Sequence, residues 1–151
     1  MNAISNAFDR FFYKFEVPRA KLTLFRIVFF ALVALDAFLE IEHAPRYGAG
    51  DFNVAHFEFL DVFLPLPSRH GMLIAYLLQA YLALRIMMGV TIRGSCILLT
   101  GLFGYSYFIS QVNSYQHHYL LFLVLGVCCF LPWKEERETL DPMAMIPSWA
   151  M

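Results

Sequence analysis

The sequence predicts an all-α integral membrane protein with about four transmembrane helices and an N-terminal amphipathic helix at the membrane interface. The first observation is a set of long apolar stretches, because a helix rises about 1.5 Å per residue and about 20 apolar residues cross a bilayer. The second is composition, since 60% of the 151 residues are hydrophobic and only 15% are charged, against about 25% charged in soluble domains. The apolar stretches cover roughly residues 22–41, 72–92, 96–112 and 119–131.

Residues 1–17 form the first predicted element, an amphipathic helix that lies in the membrane interface and anchors the chain there. Four phenylalanines recur at the spacing of one helical face, and the charged residues fall mostly on the other side. The helix ends at Val17 and Pro18, because the residue before a proline avoids the helical conformation. The phenylalanines are Phe8, Phe11, Phe12 and Phe15.

The transmembrane domain occupies residues 18–132 and contains one long outer loop, residues 42–70. Prolines and glycines within this loop exclude a single helix, and we expect its aromatic segment, residues 57–68, to dip into the outer interface or to pack over the bundle. Short turns at residues 91–94 and 111–116 make the helices that they join antiparallel neighbours.

The basic residues predict the orientation of the domain. Most of them lie before the first apolar stretch, between the second and third, or after the fourth. The positive-inside rule therefore places both termini and the tail, residues 133–151, in the cytoplasm. The net charge of −1 indicates no nucleic-acid partner. The inner basic residues are Arg10, Lys14, Arg19, Lys21, Arg93, Lys134 and Arg137, and the outer ones are Arg46 and Arg69.

Two arginines lie inside the apolar stretches, where a charge is costly and marks a structural partner or a ligand site. Arg26 lies in the inner third of the first helix, and the simplest interpretation is that its long side chain reaches the headgroups. Arg85 lies deeper in the second helix and requires a carboxylate, a backbone carbonyl or a lipid phosphate as its partner. Structural and ligand-binding roles both remain open for Arg85.

Asp36 and Glu40 lie one turn apart near the outer end of the first helix. The simpler interpretation is an interfacial pair of carboxylates that faces water. The alternative is that Asp36 faces the bundle, where it orients a histidine or accepts a proton.

The best candidate site is the segment NSYQHHY, residues 113–119, at the outer start of the fourth helix. All five histidines of the chain fall on this side of the membrane. His117 either hydrogen-bonds within the polar outer mouth or has a catalytic or ligand-orienting role. Adjacent histidines on a helix point about 100° apart, and no i, i+4 pair is present, so we predict no metal site. The neighbours expected in the polar network are Asn113, Gln116 and His118.

Small residues within the helices predict close packing. Gly101 and Gly104 in the third stretch are expected to allow a neighbouring helix to approach. The three cysteines exclude a complete disulfide framework, and we interpret Cys96, Cys128 and Cys129 as small buried apolar residues. A redox pair of the two adjacent cysteines is the alternative.

Four blocks of sequence, in order, resemble the membrane domain of the vitamin K-dependent gamma-carboxylase. The same domain occurs in the wider bacterial group called the horizontally transferred transmembrane domain, which implies a bacterial inner-membrane location. The resemblance extends over roughly residues 22–132. The blocks are LTLFRIVFFALVALD, FEFLDVFLPLPS, MMGVTIRGSCILL and NSYQHHYLLFLVLG.

The resemblance implies a chemistry and a set of residues. Carboxylases of this family oxidise vitamin K hydroquinone to an epoxide, and the oxygenated intermediate removes a proton from glutamate before carbon dioxide adds. His117 takes the place of the family's functional histidine, and Arg26 and Asp36 take the places of its first-span polar pair. A quinone or another lipid is the ligand that the resemblance implies.

The departures from the family pattern are equally informative. The family's catalytic lysine lies on a later transmembrane helix, and none of the three lysines here, Lys14, Lys21 and Lys134, occupies a membrane position. The outer soluble domain that holds the substrate peptide is also missing. We therefore expect the front half of the domain, without carboxylation by this chain alone.

Two functional hypotheses follow. The favoured one is a non-catalytic membrane subunit that scaffolds a larger complex of respiratory or photosynthetic type, in which 16 phenylalanines and eight tyrosines provide contact surfaces for lipid and other membrane-protein subunits. The alternative is a quinone-binding or carboxylase/epoxidase-like enzyme component, completed by a second polypeptide, with an outer cavity around His117, Asn113 and Asp36. A transporter or channel is the least favoured, because broken helices and paired repeats are missing.

Overall fold

Four α-helices and two short strands make up the described part of the chain. The computed structural model describes residues 15–47, 63–64, 67–109, 116–133 and 143–146. In chain order the elements are β1 (Phe15–Pro18), α1 (Arg19–Leu39), a 3-10 segment (Glu40–Arg46), α2 (Arg69–Met87), α3 (Ile92–Phe108), α4 (Gln116–Cys128) and β2 (Met143–Ile146).

The four helices coincide with the four apolar stretches, but each begins three or four residues earlier than predicted. The first turns contain polar residues that a hydropathy criterion excludes. In α2, for example, the backbone N–H of Gly71 donates to Ser68 Oγ over 3.1 Å, which caps the helix before its apolar part begins. Among the described helices, Arg19–Arg46 and Arg69–Met87 are long and apolar enough to cross a membrane.

The turn between α2 and α3 lies at residues 88–91, earlier than the predicted residues 91–94. Gly89 adopts a φ of 82°, the left-handed conformation that glycine tolerates best. The N–H of Val90 donates to the carbonyl of Arg85 over 2.9 Å, and the N–H of Gly89 donates to the carbonyl of Ile86 over 3.0 Å. This pair of bonds is a Schellman motif, which satisfies carbonyls at the end of α2.

The predicted outer loop, residues 42–70, begins later than expected, because the helix continues as the 3-10 segment through Pro45. Packing against α2 holds this continuation in place. Ala44 and Tyr47 are buried against Met72 and Tyr76, and the two tyrosine hydroxyls lie 3.2 Å apart. Most of the loop, including most of the aromatic segment 57–68, lies outside the described residues.

The bundle exposes many large apolar side chains and buries several polar ones within a mostly apolar core. Arg26, Gln79, Ser95, Ser106 and His118 are all buried. Every helix has at least one large apolar side chain that is 60% exposed or more, and exposed apolar surface of this kind marks contact with a membrane or a partner. Together with the apolar helices, this distribution identifies the chain as a membrane protein. Examples of the exposed side chains are Leu24, Leu32, Phe38, Ile74, Leu98 and Leu120.

The structure contains an antiparallel strand pair that the sequence analysis did not predict. β1 pairs with β2, with Phe15 opposite Ile146 and Pro18 opposite Met143. The predicted amphipathic helix, residues 1–17, lies outside the described residues except for its last three residues, 15–17, which are extended and belong to β1. Val17 is extended because Pro18 follows it. The pair brings part of the predicted tail, residues 133–151, to the start of α1.

α3 and α4 approach closely at Gly104, as the GLFG segment predicted. A methyl group on Gly104 would lie 2.8 Å from the ring of Phe122 in α4, closer than any carbon contact allows. A methyl group on Gly101, three residues earlier, would meet nothing within 4 Å. Gly104 therefore lies against a neighbouring helix, whereas Gly101 does not.

We expect Gly104→Ala to destabilise the bundle by about 1–3 kcal/mol, because the methyl group forces α3 and α4 apart. Gly101→Ala is the matched control and should leave the melting temperature unchanged or raise it. Thermal unfolding in detergent can be followed with a thiol-reactive dye that labels the buried Cys96 and Cys128 as they become exposed. Equal melting temperatures for the two variants would contradict this account of the α3–α4 contact.

Candidate functional site

A polar cavity lies among the four helices, at the end of the bundle where α1 and α3 end and α2 and α4 begin. Every helix contributes a polar side chain to it. Its volume is about 20 Å³, which is sufficient for a single water molecule. The lining residues are Asp36, Ala37, Glu40, Tyr76, Gln79, Phe103, Ser106, Tyr107 and His118.

Gln79 of α2 forms one wall of the polar cavity and links two helices. Its Nε2 donates to Ser106 Oγ over 2.8 Å and to the carbonyl of Leu102 over 3.2 Å, and Ser106 Oγ donates to the same carbonyl. Such bonds hold helices together where no water competes. The sequence analysis missed Gln79 and Ser106, although a single glutamine in the middle of the apolar run LIAYLLQAYLAL was a usable signal.

Asp36 and Glu40 both line the polar cavity and are half-buried. Of the two interpretations of this pair, the structure favours the one in which Asp36 faces the bundle. The 3-10 segment follows directly after Leu39 and packs on α2, which fixes the rotation of this end of α1. A carboxylate in this position can accept a hydrogen bond or a proton from a group in the cavity.

The structure places His118, and not His117, in the polar cavity. His118 is 7% exposed and its ring lies edge-on to Phe103, with 6.1 Å between the ring centres. His117 is exposed and is not among the lining residues. The two side chains point about 100° apart on α4, so only one of them can face the bundle. Gln116 begins α4, and Asn113 lies outside the described residues.

An apolar groove between α1 and α4 meets the polar cavity at Asp36. The groove has a volume of about 380 Å³, within the range of small-molecule sites. Asp36 is its one ionisable lining residue, and no other lining residue is shared with the polar cavity. We call it the α1–α4 groove; its lining residues are Phe29, Leu32, Val33, Leu35, Asp36, Leu39 and Leu121.

Arg85 lies away from both cavities and has the contacts of a structural residue. Its Nη2 donates to Thr91 Oγ1 across the α2–α3 turn, and its guanidinium group lies 5.7 Å from the ring centre of Tyr81. Thr91 is the residue with the left-handed φ of 44°. Arg85 therefore stabilises the α2–α3 turn at Thr91, whose backbone conformation is strained.

Arg26 lies near the opposite end of α1 from the polar cavity. Ten residues separate it from Asp36, which corresponds to about 15 Å along the helix. The two members of the family's first-span polar pair do not share a site here. Arg26 is 6% exposed, and its guanidinium group packs against the α2–α3 turn at Gly89.

The comparisons with known proteins give one match. The HTTM domain family matches residues 15–144. No curated protein and no solved structure matches the chain. The matched region contains β1, all four helices, the polar cavity and the first two residues of β2, so the chain belongs to the HTTM domain family.

Proposed function

We propose that this HTTM domain binds a quinone, or a lipid of similar shape, in the α1–α4 groove with its polar ring next to Asp36. The junction of the apolar groove with the polar cavity at Asp36 is the observation that carries the proposal. A prenylated quinone has an apolar tail and a polar ring with two oxygen atoms. The groove offers aliphatic side chains along most of its length and one carboxyl group at the junction.

Asp36 provides the polar contact for such a ligand. Its carboxylate can accept a hydrogen bond from a hydroquinone hydroxyl group. His118 lines the same cavity and is the second group that can take or return a proton. The polar cavity has room for the water molecule that would connect the two. A carboxylase-like or epoxidase-like reaction at this site would need a second polypeptide.

The groove itself is tested by filling it. Leu121→Trp places an indole in the α1–α4 groove and should lower the binding of decylubiquinone about tenfold or more, equivalent to about 1.4 kcal/mol. Leu120→Trp is the matched control, because Leu120 is 61% exposed on the outside of the same helix. Binding is measured as the quinone retained by the purified protein after gel filtration. Equal losses in both variants, or none in Leu121→Trp, would refute the assignment of the groove.

The role of Asp36 is tested by removing its charge. Asp36→Asn should weaken binding of decylubiquinol several-fold more than binding of decylubiquinone, because only the reduced ring donates hydrogen bonds to a carboxylate. Glu42→Gln removes an exposed charge outside both cavities and serves as the control. If Asp36→Asn binds both redox forms as the parent protein does, Asp36 is not the polar contact.

We propose a second candidate function, that of a non-catalytic membrane subunit. The observation that supports it is the set of exposed aromatic side chains. Phe38, Tyr81, Tyr119 and Phe130 are each about half exposed or more, and they lie on different helices or helix ends. Aromatic side chains contribute large contact areas at interfaces between helices. A respiratory or photosynthetic complex is the type of assembly that such a subunit would join.

The subunit role is tested by purification from native membranes. Partners that copurify in fixed stoichiometry with a tagged chain, identified by mass spectrometry, are the expected result. Recovery of the chain only as a free protein with no partner would exclude this role and leave the quinone site as the function to pursue.

The proposed topology has four membrane crossings in a bacterial inner membrane, with both termini in the cytoplasm. The strand pair supports the placement of both termini on one side, because β2 lies beside β1 at the start of α1. The basic residues before α1 and after α4 support the cytoplasm as that side.

A further inference from the structure

A second polar cavity lies at the end of the bundle opposite Asp36. It has a volume of about 60 Å³, several times what one water molecule requires. α1 supplies two arginines to its wall, and the chain after α4 supplies the other wall. We call it the arginine cavity; its lining residues are Arg19, Leu22, Thr23, Arg26, Pro132 and Trp133.

Arg26 is the unusual group in the arginine cavity. It is only 6% exposed, and its Nε is buried without a hydrogen-bond partner in the described part of the chain. A buried guanidinium group that lacks an anion is costly, because both its charge and its donors are left uncompensated. This side chain is therefore a binding group for an anion that the cavity can admit.

The position of Arg26 is fixed by its neighbours. A methyl group on Gly89 would lie 3.2 Å from each Nη atom, so the guanidinium group packs directly on the Schellman turn. Trp133 forms the facing wall, where its Nε1 donates to the carbonyl of Cys128 over 2.6 Å and its ring stacks on Phe25. The cavity is a preformed site, held on both sides by the ends of helices.

The start of α1 adds to the positive potential in the arginine cavity. Arg19, Thr23 and Arg26 follow one another at i, i+4 and i+7, which places them on one face of the helix. The first turn contains no acidic residue, and the N-cap residue, Pro18, offers no side-chain hydrogen bond. The helix dipole therefore favours an anion at this turn.

We propose that the arginine cavity binds a phosphate group, held by the Arg26 guanidinium with help from Thr23 Oγ1 and the start of α1. A guanidinium group presents donors in a planar fork that matches phosphate oxygens. Two sources offer this chemistry, a phospholipid headgroup and free phosphate. The site lies where the apolar surface of α1 begins, beside a tryptophan, which is the depth of the headgroups in a bilayer. The phosphate proposal is independent of the quinone proposal, because the arginine cavity shares no lining residue with the polar cavity or with the α1–α4 groove.

The test uses variants that change the charge inside the cavity. Arg26→Gln removes the buried cation, and Thr23→Glu adds a carboxylate within reach of it. Thr23 is exposed, so Thr23→Glu is expected to fold even if Arg26→Gln does not. Thr23→Gln has the same length as Thr23→Glu without the charge. Arg93→Gln removes an exposed positive charge from the same end of the bundle but outside the cavity.

Binding of a phospholipid headgroup is measured as retention of phosphatidylglycerol, by native mass spectrometry of protein from nanodiscs that contain this lipid. The parent protein, Thr23→Gln and Arg93→Gln should each retain one phosphatidylglycerol molecule after transfer to a neutral detergent. Thr23→Glu and Arg26→Gln should retain it at least about tenfold less often. The free-phosphate source is measured as the rise in melting temperature when inorganic phosphate is added to delipidated protein.

Each outcome decides the proposal. Lipid retention that Thr23→Glu and Arg26→Gln lose, with no effect of inorganic phosphate, supports the site with a lipid as its source. A phosphate-induced rise in the parent protein that Thr23→Glu abolishes supports the site with a soluble anion as its source. Equal lipid retention by all variants, together with an unchanged phosphate response in Thr23→Glu, would overturn the proposal.

Discussion

The rest of this structure depends on one constraint: polar side chains buried in a bundle with an apolar exterior need hydrogen-bond partners within that bundle. Hydrocarbon offers no hydrogen bonds, so each polar side chain that the helices bury must find its partner within the bundle. Gln79 meets this requirement through Ser106 and the carbonyl of Leu102. Ser106 meets it through the same carbonyl. Arg26 is the described residue with a buried nitrogen that lacks a partner, which is why it indicates a ligand.

The same constraint separates two polar sites along α1. Asp36 and Glu40 face the polar cavity at one end, and Arg19, Thr23 and Arg26 face the arginine cavity at the other. The core between them is apolar and tightly packed, with Phe30 fully buried against residues of the other helices. One site carries acidic groups and the other basic groups. They therefore suit ligands of different chemistry, a hydrogen-bond-donating ring and a phosphate.

Hydropathy predicted the four helices because each of them contains a long run of mostly apolar residues. The approach at Gly104 also followed from residue type and spacing, whereas the spacing of Asp36 and Glu40 left open whether Asp36 faces water or the bundle. The choice between His117 and His118 did not follow from spacing either, because it depends on the rotation of α4, which packing sets and periodicity alone leaves open. The β1–β2 pairing joins residues that are far apart in sequence and carry no turn between them, so no local signal indicated it.

The proposed topology places the polar cavity and the arginine cavity toward opposite faces of the bilayer. Position 23 on α1 and position 40, where the 3-10 segment begins, are 17 residues apart, about 26 Å along the helix axis. The most direct measurement is therefore labelling of Thr23→Cys and Glu40→Cys by a membrane-impermeant thiol reagent, with the native cysteines changed to alanine. Glu40→Cys should react in right-side-out vesicles and Thr23→Cys only in inverted ones. Reaction of both positions from the same face would contradict the account.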